Sequence, residues 1–271
     1  MSLKLSHHHL FRGLSVAFLA ISFFTAAAIS PQVNAQDVSS KIIGGEFAPA
    51  LAGGTVAYVV TPDFFCSGAL VGRRQVLTAA HCLAEGPAIS EYYVYVAGEW
   101  FTLSSAWYNA KYDPNKSSYE SSPHDLGMLI LSRSATKATP LSILSGNRIK
   151  RGARVMIAGY GANEYSDDPD RSFVDNFKLG FSRVERVDGK RIFGSHVQYN
   201  ASTCSGDSGG PALHMYRKNK VALVGILSAG VNNTIESRCE LNADGSFIQV
   251  DLQSTSSRAF LRSFKGLRYV R

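Results

Sequence analysis

From about residue 55 onward this chain is built of short runs of β-branched and aromatic residues, cut by turn formers every few positions. Such runs fall at 55–60, 75–80, 92–97, 127–131, 154–158, 177–187, 221–227 and 247–252. In Tyr92-Tyr93-Val94-Tyr95-Val96 aromatics mix with β-branched residues, which suits a packed, pleated surface. Only the end reads as helix, where Ser254 can cap a stretch in which Phe260, Leu261 and Phe264 recur on one face. Strands this short and numerous bury their apolar faces in a sandwich or in barrels, so the expected class is all-β. No internal repeat recurs at a fixed period.

The first 35 residues read as an export signal. Lys4 and Arg12 give a positive n-region before an apolar run at 14–29, and Val33-Asn34-Ala35 fits the small-residue rule for signal peptidase. A membrane span wants about 20 apolar residues, and this run is shorter. Cleavage is therefore expected after Ala35, and His7, His8 and His9 leave with the signal, which removes them as metal ligands. The expected destination is secreted or periplasmic.

The whole chain carries +7. Residues 1–41 hold Lys4, Arg12 and Lys41 against Asp37, so the remainder keeps 25 cations against 20 acids, a mild +5. Two loose basic groups, Arg148/Lys150/Arg151/Arg154 and Arg258/Arg262/Lys265/Arg268/Arg271, read as solvated surface. No nucleic-acid partner is expected. After signal removal no membrane association is expected either. The four cysteines would lie in an oxidising compartment, where four allow three pairings. None has the C-x-x-C spacing of a zinc site, so no metal or other cofactor is expected.

Three motifs carry the chemistry. Cys204-Ser205-Gly206-Asp207-Ser208-Gly209-Gly210-Pro211 boxes a serine between glycines. Leu77-Thr78-Ala79-Ala80-His81-Cys82 sets a histidine in a small-residue turn, and Ile42-Ile43-Gly44-Gly45 follows Lys41 directly. A serine hydroxyl is a poor nucleophile at neutral pH; it needs a base beside it, and the base needs a partner that fixes its tautomer. Asp125, leading the apolar stretch 126–131, is the candidate partner. The serine box also satisfies G-x-S-x-G, the nucleophile elbow of α/β-hydrolases. That fold requires the order serine, acid, histidine, whereas only His214 follows Ser208, with no acid between them.

On these motifs residues 42–271 resemble the chymotrypsin/trypsin family of serine proteases. The resemblance implies two antiparallel six-stranded β-barrels with the active site between them, and a C-terminal helix. It implies one peptidase domain at 42–271, divided into an N-terminal barrel (42–148) and a C-terminal barrel with the terminal helix (149–271). Residues 36–41 would be a pro-segment, and the polar stretch 145–152 the linker. Polar loops at 112–123 and 163–175 are candidates for the rims of the cleft. The implied disulfides are Cys66–Cys82 and Cys204–Cys239.

By the same resemblance Ser208 is the nucleophile, His81 the general base and then acid, and Asp125 the buried orienting carboxylate. The oxyanion hole is the backbone N–H groups of Gly206 and Ser208. A cut after Lys41 frees the Ile42 ammonium to pair with Asp207, so the exported form is a zymogen. Ser202 falls at the floor of the primary specificity pocket, Ser228 and Gly230 on the strand that faces substrate, and Gly245 on a pocket wall. Ser202 brings no charge, so large apolar or aromatic side chains are expected over Lys or Arg. Ala229 opens the outer subsites. The eight residues at 231–238, ending in Arg238, are a longer insertion than the family pattern has. The implied partners are protein or peptide substrates, an activating trypsin-like protease and proteinaceous inhibitors, with the chain a monomer. The alternative from another class is a non-catalytic homologue acting as a binding protein; such homologues usually lose a triad member, and none is lost here. His124, His196 and His214 have no motif around them and read as surface or packing residues.

Overall fold

The computed structural model describes residues 54–84, 86–161, 177–195, 203–218, 220–231 and 246–271. The signal and pro-segment, Lys41, Ile42, the 163–175 loop, His196, Ser202, Arg238, Cys239 and Gly245 lie outside the described residues.

The first sheet holds β1 (Val56–Val60), β2 (Phe65–Gly72), β3 (Gln75–Thr78), β4 (Tyr93–Val96), β5 (Glu99–Phe101), β6 (Leu103–Tyr108) and β7 (Gly127–Leu131). Its order is β5-β4-β1-β2-β3-β7-β6, antiparallel throughout. The two edges of this ladder, β5 and β6, are consecutive in the chain and separated only by Thr102. A sheet whose opposite edges are joined by one residue must curl on itself. Counted as one strand bent at Thr102, β5 and β6 make this a six-stranded half-barrel. The Thr102 carbonyl accepts from Ser132 N at 2.9 Å, so the bend leaves no orphaned acceptor there.

The second sheet holds β8 (Ile143–Leu144), β9 (Arg154–Gly159), β10 (Lys178–Val187), β11 (Arg191–Ser195), β12 (Pro211–Arg217), β13 (Lys220–Val231), β14 (Ser246–Asp251) and β15 (Tyr269–Val270). Strands β12, β9, β10, β11, β14 and β13 follow one another, and β12 pairs again with β13. That last pairing closes a six-stranded barrel and removes its edges. Strands β8 and β15 attach outside the ring as short parallel additions. The all-β, two-barrel expectation therefore holds, with the second barrel closed by hydrogen bonds and the first a half-barrel whose edge strands meet at Thr102.

The apolar core runs without a break from Leu70, Leu77 and Met128 of the first sheet to Leu179, Leu213 and Ile226 of the second, all 0–1 % exposed. Burying a side chain of this size stabilises by about 1.5–3 kcal/mol, so the shared core ties the two sheets together. The terminal helix spans Thr255–Arg262, with the Ser254 hydroxyl accepting from Ser257 N at 3.1 Å. This is the cap expected from the sequence. Two arginines of the basic groups do more than face solvent. Arg148 donates to Gln253 O and Arg258 to Ser145 O, and the Gln253 side chain accepts from Ile149 N and donates to Gly146 O. These bonds stitch the stretch after β8 to the start of the terminal helix.

Candidate active site

His81 opens a single helical turn, His81–Ala84, just past the end of β3. Ala79 and Ala80 before it are fully buried, because only small side chains fit where the strand turns. Two contacts hold the turn: the Cys66–Cys82 disulfide ties it to β2, and the Tyr92 hydroxyl donates to Cys82 O at 2.9 Å. Gly127 lets the next strand pass close by, since a Cβ there would stand 2.9 Å from Ala79 O and 2.6 Å from Leu83.

Asp125 ends a 3-10 turn, Ser122–His124, and is 2 % exposed. Its Oδ1 accepts from His81 N at 2.8 Å, and its Oδ2 lies 2.8 Å from His81 Nδ1. The Ser228 hydroxyl donates to the same Oδ2 at 2.6 Å. With Oδ2 facing Nδ1, the neutral imidazole carries its proton there and turns Nε2 outward as the basic nitrogen. The carboxylate thus accepts three hydrogen bonds, from His81 N, His81 Nδ1 and the Ser228 hydroxyl. Ser228 reaches it because β13 is bulged between Leu227 and Ala229, which frees that residue from the β14 ladder. His124, read from sequence as a surface or packing residue, bonds Ser256 Oγ through Nδ1 at 2.8 Å and so links this turn to the terminal helix. Burial pushes its imidazole pKa below the ordinary value, with Lys111, Lys190 and Lys116 adding to the effect.

The serine segment folds as a tight loop before β12. Gly206 has φ of +92° and Gly209 of +81°, conformations that a Cβ resists. The space is closed as well: a Cβ on Gly206 would stand 2.0 Å from the Phe65 ring. Ser67 braces the loop at two points and ties it to Tyr160. It donates through Oγ to Gly206 O at 2.8 Å, accepts at Oγ from Tyr160 N at 2.9 Å, and donates through its backbone N to Ser208 O at 2.7 Å. Asp207, 2 % exposed, points inward; Oδ1 accepts from Gly161 N at 2.8 Å and Oδ2 from Cys204 N at 2.9 Å. Burial pushes its pKa up to about 6, against the opposing pull of those two N–H groups and of the Lys178 charge. Gly159 and Gly161 make room for it, since a Cβ on either would overlap the carboxylate.

His81, Asp125 and Ser208 line one cleft of about 460 Å³, together with Thr203, Ser228 and Gly230. Tyr112, Pro114 and Lys116 form part of its rim, where the sequence expects a rim loop. Among the described residues a Cβ at Gly230 would meet nothing within 4 Å. Cys204 is disulfide-bonded. Among the described residues the group of metal-ligating types is Cys66, His81 and Cys82, and its two sulfurs are already joined to each other. Sequence reasoning missed Ser67, Gly159 and Gly161 as supports of the loop. It placed Ser228 on the strand that faces substrate, and Ser228 does line the cleft, but the bond of its hydroxyl to Asp125 was not expected. The only signal for Ser67 was its place directly after Cys66.

Comparison with known proteins agrees with this geometry. The family model described as Trypsin matches residues 42–250. Chymotrypsin-2 of Vespa crabro is 29 % identical over 186 residues, covering 64 % of this chain and 83 % of that one. Trypsin of Simulium vittatum is 24 % identical over 241 residues, covering 80 % and 93 %. The human hepatocyte growth factor activator serine protease is 26 % identical over 215 residues, covering 70 % of this chain but only 32 % of its own length. Among solved structures, mouse neuropsin, a serine protease, superposes with a TM-score of 0.61 at 21 % identity, covering 81 % of this chain and 97 % of that one. Among the described residues no helix is long and apolar enough to cross a membrane. With the family model matching most of its length, the chain belongs to the trypsin family of serine proteases, hydrolases that cut within peptide chains.

Proposed function

We propose that the chain is an exported serine endopeptidase, made as a zymogen and activated by a cut after Lys41, with Ser208, His81 and Asp125 as its triad. The observation that carries this reading is the Asp125 carboxylate bonded to both His81 N and His81 Nδ1 within the cleft that Ser208 also lines. His81 Nε2 takes the Ser208 proton as Oγ attacks the scissile carbonyl carbon. The imidazolium that forms is stabilised by Asp125, which stays ionised. The carbonyl oxygen becomes an oxyanion held by the N–H groups of Gly206 and Ser208, each worth about 3 kcal/mol of barrier. Collapse of the tetrahedral intermediate expels the amine, protonated by His81, and leaves an acyl-Ser208 ester. Water, deprotonated by His81, then hydrolyses that ester.

Activation follows from Asp207. A carboxylate buried this deeply is costly in its ionised form unless a cation neutralises it. The Ile42 ammonium, freed by the cut, supplies that charge and fixes the loop carrying Gly206 and Ser208. Substrate choice rests on the uncharged Ser202 and on Gly230, which favour large apolar or aromatic side chains before the cut bond. The chain then does not activate itself after Lys41 and depends on a second, trypsin-like protease. The test is a peptide library incubated with chain cut at Lys41. Cleavage after Phe, Tyr, Leu or Met at least about tenfold faster than after Lys or Arg, absent in Ser208→Ala, is the expected result. Preferred cleavage after basic residues would overturn the specificity. No cleavage by correctly cut chain would overturn the endopeptidase reading itself.

A further inference from the structure

Lys178 is a buried lysine, 2 % exposed, with no part in the chemistry described above. Lysine is almost never buried this fully without an anion close by. Its place in the ladder puts one anion on its own side of the sheet. Lys178 opens β10 and stands directly opposite Gly159 of β9. Directly opposed residues in an antiparallel pair project from the same face of the sheet. On Gly159 that face is occupied by Asp207, whose Oδ1 stands 2.2 Å from where a Cβ would be. The Lys178 side chain therefore leaves the sheet on the side where the Asp207 carboxylate lies. The Lys178 charge also lowers the Asp207 pKa against the effect of burial, which independently marks the two as near each other.

We propose that Lys178 is a built-in counter-cation of Asp207, present before any cut, that holds the Ser208 loop near its working shape in the single chain. This rests on the reading of Asp207 as the activation carboxylate. In that conformation both Asp207 oxygens are already engaged, with Gly161 N and Cys204 N. Lys178 acts as a positioning residue: it touches no reacting atom, and its effect passes through Asp207. The uncut chain then has measurable reactivity at Ser208, and the cut raises it instead of creating it from nothing. After the cut the Ile42 ammonium supplies the same charge, so Lys178 becomes dispensable.

The experiment compares fluorophosphonate labelling rates of Ser208 in uncut chain, kept intact by Lys41→Gln, and in chain cut at Lys41. Each form is measured with and without Lys178→Met. The expected result is a labelling rate in the uncut chain that falls at least tenfold with Lys178→Met, while the cut chain changes by less than about threefold. An equal loss in both forms would mean a structural role only and would overturn the proposal, as would an unchanged rate in the uncut chain. Should Lys178→Met fold poorly, its effect on the urea midpoint is measured alone and in the Asp207→Asn background. A cost that disappears in that background supports the pair, and one that persists contradicts it. Failure of the underlying protease reading looks different, since cut wild-type chain would then not label at all.

Discussion

The Ser228 hydroxyl and the Asp125 carboxylate meet at 2.6 Å, on the same Oδ2 that faces His81 Nδ1. The bond joins a bulge in the second barrel to a buried acid beside the first, across 103 residues of chain. A hydroxyl donating to a buried carboxylate is worth about 1.5–3 kcal/mol. Ser228→Ala removes it while leaving His81 N and Nδ1 in place. The expected outcome is a fall in kcat of about tenfold or more with KM changed by less than about threefold. Steady-state kinetics on a peptide substrate measures both, and an unchanged kcat would show that Asp125 needs no third donor.

Gly206 combines a φ of +92° with a Phe65 ring where its Cβ would be. Gly206→Ala is therefore expected to displace the backbone N–H proposed to hold the oxyanion. Losing one such donor costs about 10²–10³ in kcat. The same fall is expected here, with the far-ultraviolet circular dichroism spectrum retained because the strands do not depend on this loop. A variant with near-normal kcat would remove Gly206 from the oxyanion hole.

Asp207 makes the stability of the uncut chain depend on pH. Its folded pKa is raised to about 6 from 3.8, so the fold favours the protonated acid. Its contribution is fully present below about pH 3.8 and is lost as pH rises through 6, a destabilisation of about 3 kcal/mol by neutrality. Urea midpoints of wild type and Asp207→Asn at pH 4 and pH 7.5 test this. The wild type is expected to lose stability relative to the variant between the two pH values. Parallel behaviour would mean that Asp207 is already fully neutralised in the single chain.

The Cys66–Cys82 bridge closes a loop of 16 residues and pins the turn that carries His81. A loop of this length stabilises by about 3 kcal/mol. The double variant Cys66→Ala/Cys82→Ala is expected to lose about that much in chemical denaturation, and to lose activity beyond its loss of folded fraction. Unchanged activity per folded molecule would show that Tyr92 and the buried alanines hold His81 without the bridge.

The parts of this molecule that were readable in the sequence are those with a local signature. The β-branched and aromatic runs marked strands, Ser254 marked the terminal helix, and the boxes around His81 and Ser208 marked a cleft that both residues line. What was not readable is contact between remote residues. Ser67 reaches Gly206 across 139 positions, and nothing in Cys66-Ser67-Gly68 announces it. Gly159 and Gly161 look like ordinary turn residues until Asp207 is seen against them. The bend at Thr102 is likewise invisible, because it follows from which strands become edges, and pairing order is a property of the whole sheet.

The most direct test of the account is fluorophosphonate titration of the purified chain, read by intact mass, before and after a single cut at Lys41, with Ser208→Ala beside it. The account predicts one label per molecule, confined to Ser208, formed slowly before the cut and much faster after it. Correctly cut chain that takes no label would contradict it, since the residues that line the cleft would then not act together as a nucleophile and its base.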